Sequence, residues 1–281
     1  MHRLSLLAAA TLLGLAGTAA NAADWSDTSL GVRYGTHFAE PFDNNADGSR
    51  VNVKKVIISL THASGYKYGT NFFNVDLLSS DHTDPAPGGD GAREAYIVYR
   101  TMLDIGKVSG MDLKMGPVRG YGLTGGFDWN TKNDVGYASK KQMLVFGPTV
   151  QFDVPGFANL SALVFRESNA PVGHPSRFYY KTHGALELDW GIGIGSLPLS
   201  FNGYALWIAS KGDNEFGGGT APETHVDATL MYDVGLAAGL GKHVALIGVE
   251  YEYWHNKFGN PTAGNKGATA STPMIRAEYH F

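Results

Sequence analysis

Along most of the chain, apolar side chains recur at every second position. Leu30, Val32, Tyr34, Thr36 and Phe38 alternate with Gly31, Arg33, Gly35, His37 and Ala39. Leu186, Leu188, Trp190, Ile192 and Ile194 alternate with Ala185, Glu187, Asp189, Gly191 and Gly193. The runs Val226–Val234 and Ala245–Tyr253 repeat the pattern, with Asp227, Thr229, Glu250 and Glu252 on the second face. A period of two is that of an extended strand with one apolar and one polar or small face. Each run persists for about ten residues, whereas strands of water-soluble domains average about five or six. About ten is what a tilted strand needs to cross a bilayer.

Twelve such strands are predicted, at 29–38, 51–62, 67–78, 93–104, 118–129, 141–152, 158–167, 182–193, 198–209, 224–235, 244–255 and 273–281. Two stretches, 54–60 and 159–165, do not alternate cleanly. Connections after odd-numbered strands are long and polar, as at 79–92 and 210–223, while those after even-numbered strands are mostly tight. The long connection at 105–117 is the misfit. Long loops on one rim and short turns on the other predict an all-β fold: a transmembrane, antiparallel, up-and-down β-barrel. The apolar faces would meet lipid and the polar faces would line a lumen. Tyr34, Phe38, Trp129, Trp190, Tyr251 and Tyr253 would join interfacial aromatic girdles, and Gly120, Gly122 and Gly126 would leave room inside.

Composition narrows this further. Of 281 residues, 43% are hydrophobic, 12% aromatic and only 17% charged, which excludes a disordered chain. There is no cysteine, so disulfides and thiolate metal sites are excluded, and no cofactor is implied. A net charge of −4 gives no argument for nucleic acid as a partner. His2 and Arg3, the apolar run 4–20 and Ala20-Asn21-Ala22 form a secretory signal peptide cut after Ala22, leaving 23–281 as a single barrel domain in the bacterial outer membrane. The chain ends on Ile275, Ala277, Tyr279 and Phe281, an apolar stripe similar to the terminal strand read by the barrel assembly machinery.

The predicted register turns Arg33, His37, Phe72, Asn74, Asp76, Tyr96, Arg100, Glu187, Asp189, Asp227, Glu250 and Glu252 into the lumen, along with Asn202, Tyr204, Arg276, Glu278 and His280. Both charge signs mixed with aromatics suit a neutral polar solute. Equally, the charges could pair with one another and stiffen a small lumen. A slip of one residue would invert the whole set. His82, His174 and His225, in or beside loops, read as solvated surface residues. Asp81, Asp84 and Asp90 lack calcium-loop spacing.

The segment ending Gly35-Thr36-His37-Phe38, then Val51-Asn52-Val53 and 67–78 (KYGTNFFNVDLL), together with the closing Glu278-Tyr279-His280-Phe281, resembles the Tsx-type nucleoside-specific channel family. The resemblance covers mainly residues 30–78 and the C-terminus; elsewhere it is one of strand rhythm. It implies a narrow, monomeric, twelve-stranded channel that is not an enzyme. Such a channel passes nucleosides and deoxynucleosides by diffusion through weak aromatic and polar sites, with membrane lipid and small solutes as its partners. Alternatives are a general small-solute porin and a phospholipase-like barrel enzyme. For the enzyme, Ser168, His174, His183, or His62 with Ser64, would be the residues to inspect. A soluble exported β-sandwich is a third class. It would carry charge on its outward faces.

Overall fold

Inside hydrocarbon every backbone N–H and C=O must find a protein partner, so a spanning sheet cannot keep a free edge. The computed structural model, which describes residues 23–281, meets this condition by closing on itself. The strands are β1 (Trp25–Phe38), β2 (Val53–Tyr66), β3 (Gly69–Ser80), β4 (Arg93–Asp104), β5 (Val118–Lys132) and β6 (Gln142–Phe152). They continue with β7 (Gly156–Asn169), the two-residue β8 (Phe178–Tyr179), β9 (His183–Gly193), β10 (Leu199–Ile208), β11 (Glu223–Asp233), β12 (Ala245–His255) and β13 (Thr269–His280). Each long strand pairs antiparallel with the next, β6 with β7 and β7 with β9, and β13 returns to β1. The result is a closed twelve-stranded barrel, and β8 adds a short rung above it on β7. The signal peptide expected at 1–22 lies outside the described residues.

Burial follows the predicted alternation. In β2 the pattern runs strictly buried, exposed from Val53 to Leu60, and β6 and β11 do the same over most of their lengths. Val32, Ile58, Leu123, Leu144, Phe146, Val164, Leu230, Val249 and Ile275 are all exposed large apolar residues on the outer wall. So much apolar surface would be untenable in water. Around a closed barrel it is the lipid-facing band of an outer-membrane protein, and it rules out a soluble sandwich. Tyr34, Trp129 and Tyr253 stand outward toward the loop-side ends of their strands, Tyr251 stands outward nearer the middle of β12, and Trp190, also outward, packs on Phe201 at 5.5 Å.

The sequence reading goes wrong in three places, each for a local reason. A β-bulge lies between Gly35 and Phe38, where the pairing steps from Gly35–Lys55 to Phe38–Val53. The extra residue reverses the alternation. His37 therefore ends exposed outside the lumen, bonded to Thr36, while Phe38, expected in a girdle, is buried inside against Val53, Ile57 and Met274. Two of the three β5 glycines expected to leave room do not hold open space, while a Cβ on Gly120 would meet only Gln151 Nε2 at 3.4 Å. A Cβ on Gly122 would stand 2.8 Å from Met102 Cγ, and one on Gly126 2.0 Å from the Tyr99 carbonyl oxygen, so these positions admit neighbours instead. His225 is buried in β11, not solvated.

Most of the long loops lie on the rim where β1 ends, and 105–117 remains the exception the sequence showed. The opposite rim carries tight turns, the connection at 234–244, and the short helix α1 (Ile105–Ser109), capped by Asp104 and closed by Gly110 in the left-handed region. Leu230 faces lipid at mid-strand and Asp227 faces the lumen three residues away. Leu230→Arg should cost about 2–4 kcal/mol and block assembly, whereas Asp227→Asn should assemble. Heat-modifiable gel migration of refolded protein checks this, and equal tolerance at both positions would contradict the register.

Candidate functional site

The lumen is the candidate site, and its inner face is built from ion pairs at mid-height. Arg33 on β1 reaches Asp76 on β3 at 2.5 Å and Glu250 on β12 at 2.9 Å. Arg276 on β13 bonds Glu250 at 2.7 Å and Glu278 at 2.6 Å. Further toward the turn rim, His280 bonds Asp27 and Glu278. A second group centres on Arg100 of β4, which holds Asp128 of β5 at 2.6 Å and Glu187 of β9 at 3.2 Å. The Tyr96 hydroxyl donates to Asp128. Because β9 lies four ladders from β4 around the wall, the Arg100–Glu187 pair crosses the lumen as a bar. The side chains of Arg33, Asp76, Arg100 and Glu187 keep only 11–19% of their surface accessible, as expected for the wall of a narrow passage.

Apart from His37, every lumen residue inferred from sequence stands on the inward face. Asn74 accepts from Thr61, Asp189 accepts from Asn159, and Phe72 lies across from Arg100, half exposed toward the turn rim. Glu252 and Tyr204 meet at His225: the His225 ring stacks on Trp254 at 3.7 Å and 5°, Tyr204 approaches it edge-on, and Glu252 lies 3.6 Å from its Nε2. The aromatic faces there are largely satisfied by one another.

Asp128 was missed, although it shares a face with Gly122 and Gly126 and could have been read from that alternation. Two inward apolar patches were missed as well. One joins Phe38, Val53, Ile57 and Met274; the other joins Met143, Val145, Leu163, Phe165, Ala185 and Ile208. They stand on opposite walls in the loop-side half, and they explain why 54–60 and 159–165 fail to alternate in polarity.

Loops fold in above these patches. Glu40 gathers Lys55 at 2.6 Å with Lys132 and Lys257 at 3.5 Å, while Asp84 takes Lys132 at 2.9 Å. Across the mouth, Lys211 from the β10–β11 loop is buried on Glu167 at 2.7 Å. Glu215 of the same loop accepts from the Tyr137 and Tyr180 hydroxyls. Burial beside Glu215 pushes both phenols up, so they remain donors. Burial alone would raise the Glu40 carboxyl, but the ammonium groups of Lys257, Lys55 and Lys132 hold it well below the usual carboxylate range.

Of the serine–histidine candidates, Ser168 and the three histidines are engaged elsewhere. Ser168 Oγ accepts from Arg177, His174 Nδ1 lies on the Ser176 carbonyl, His183 Nδ1 on the Lys181 carbonyl, and His62 Nδ1 on the Thr28 hydroxyl.

No family model matches the chain, and no curated protein matches it. Similar solved structures are barrels at low identity. The translocator domain of the autotransporter NalP from Neisseria meningitidis is 12% identical, with 99% of this chain and 98% of that one covered and a TM-score of 0.45. The KdgM porin is 9% identical over 90% and 99%, with a TM-score of 0.41. The TodX deltaS2S3 mutant monoaromatic hydrocarbon channel is 9% identical over 94% and 91%, with a TM-score of 0.38. At these values the architecture stands on the chain's own ladders, and the likeness says nothing about this chain's cargo.

The depressed Glu40 carboxyl gives a pH prediction with a defined sign. Its ionised form is favoured in the folded state, so its contribution is complete above the ordinary carboxylate range, about pH 4–5, and is lost as pH falls through the lower folded value. Glu40→Gln should therefore lower the thermal midpoint in detergent near neutral pH. The gap from wild type should close on acidification; a gap independent of pH would contradict the network.

Proposed function

We propose that the barrel is an outer-membrane channel through which small polar solutes diffuse, with nucleosides and deoxynucleosides as the preferred cargo. One observation carries the reading: charged and polar side chains follow one another on the inner wall from Asp27 and His280 at the turn rim through mid-height and recur in the loop clusters beyond the two apolar patches, and Arg33, Asp76, Arg100 and Glu187 among them retain partial water access. A wall needed only for support would be better filled with apolar side chains, because buried ion pairs are often no more stabilising than well-packed hydrophobic replacements.

Nucleosides suit this wall for chemical reasons. Ribose hydroxyls need carboxylate, amide or guanidinium partners, which Asp76, Asn74, Glu187 and Arg100 offer. A base needs an aromatic face, and Phe72 presents one toward the turn-side entrance. Modest sites in series permit release as well as entry. The resemblance of residues 30–78 to Tsx-type channels supports the same cargo.

Solute entry into liposomes carrying the purified protein tests the proposal. Nucleosides should enter several-fold faster than disaccharides or amino acids of similar mass. Equal rates would remove the nucleoside preference and leave a general channel, and rates equal to protein-free liposomes would overturn the channel. The Arg100–Glu187 bar gives a residue-level expectation in the same membrane. Glu187→Gln should raise single-channel conductance and alter ion selectivity, because it releases the crossing pair, and an unchanged conductance would place the solute path elsewhere.

A further inference from the structure

The outer wall over β6 and β7 joins two features that nothing in the lumen explains. Its apolar side chains are among the most exposed on the barrel, with Leu144 at 63%, Phe146 at 61% and Val164 at 55%. Beginning level with Leu144 and continuing toward the loop rim stand three cations. Arg166 is exposed on the same outward face as Val164 and pairs across the ladder with Leu144. Lys140 is exposed just beyond the start of β6. Arg177 lies against the outside of β7, donating to the Lys140 carbonyl at 2.9 Å and to Ser168 Oγ at 3.2 Å. Beside them Tyr179, on β8 opposite Ser168, is 67% exposed.

No carboxylate answers these charges. Glu167, next to Arg166, points inward to Lys211 and Lys141, and Glu215 is held by Tyr137 and Tyr180. Among the described residues none of the three cations forms an ion pair. Hydrated like charges gain little from crowding together, so a cluster of this kind favours an anion that can reach several at once. The height identifies which anion. The cluster sits where the oil-facing belt ends on the loop side, with an interfacial tyrosine at its flank, and that is the depth of lipid head groups. Guanidinium forks bind phosphate oxygens in paired hydrogen bonds, and an ammonium adds a point charge.

We propose that Lys140, Arg166 and Arg177 form a binding site for the phosphate-bearing head group of an outer-leaflet lipid, whose acyl chains lie down along Leu144, Phe146 and Val164. The site is on the outer wall and independent of what passes through the lumen.

Diphosphoryl lipid A is the probe, added to the full-length barrel in a zwitterionic detergent, with bound lipid counted by native mass spectrometry. K140Q/R166Q/R177Q should weaken retention by about tenfold or more, whereas the charge-matched K67Q/K107Q/K242Q on the turn rim should change it by less than about twofold. Lipid A stripped of its phosphates should bind wild type no better than the first variant. Heat-modifiable migration reports folding, and should the triple variant fail to fold, Arg166→Gln alone tests the exposed position, with Arg166→Lys restoring part of the loss. Equal retention by both triple variants, indifference to removal of the phosphates, or full displacement by inorganic phosphate at millimolar concentration would each overturn the site as one for lipid.

Discussion

Closure of the backbone hydrogen-bond ladder is the constraint on which everything else depends. In hydrocarbon an unpaired strand edge costs several kcal/mol per group, so β13 must find β1 and the wall must be complete before any side chain has a defined role. Once the ladder closes, the pleat assigns alternate side chains to oil and to the interior. That assignment lets a sequence with only 17% charged residues concentrate its ionisable groups in one column. Arg33, Asp76, Glu250 and Arg276 occupy four different strands, yet they form one connected group because the barrel brings their inward faces together.

The same geometry sets two regimes inside. At mid-height and toward the turn rim the charges pair, Glu250 fully buried between Arg33 and Arg276, while Arg33, Asp76, Arg100 and Glu187 keep partial access to water. In the loop-side half, apolar patches on opposite walls narrow the interior, and above them Glu40, Asp84 and Glu167 draw lysines from separate loops and strands into buried pairs. The long loops are therefore part of the lumen's architecture, tied down at named carboxylates. Any solute path must pass the ties at Glu40 and at Glu215 on the way to the Arg100–Glu187 bar.

Much of this was legible in the sequence. The predicted segment 93–104 coincides with β4, most others agree with the observed strands to within a few residues, and Arg33, Asp76, Arg100, Glu187, Asp227 and Glu250 were placed on the inward face. Alternation is a strong signal because hydrocarbon tolerates few exceptions. The failures came where the outer solvent exerts no such pressure. His37 and Phe38 lie past a bulge, whose extra residue leaves no mark on composition. Val53, Ile57, Leu163 and Phe165 are apolar yet inward, so polarity stopped reporting direction there. Partners such as Glu40 with Lys257 lie 217 positions apart and become neighbours only after closure.

The bulge in β1 also measures depth. A phase slip exchanges inward and outward side chains from that point onward, and in β1 it falls where the outward face ceases to be apolar. Tyr34, the last outward aromatic before the slip, and His37, the first polar side chain turned outward after it, bracket the level at which the bilayer ends on this strand. The irregularity is thus a waterline drawn in the covalent chain, and a height against which the other eleven strands can be set.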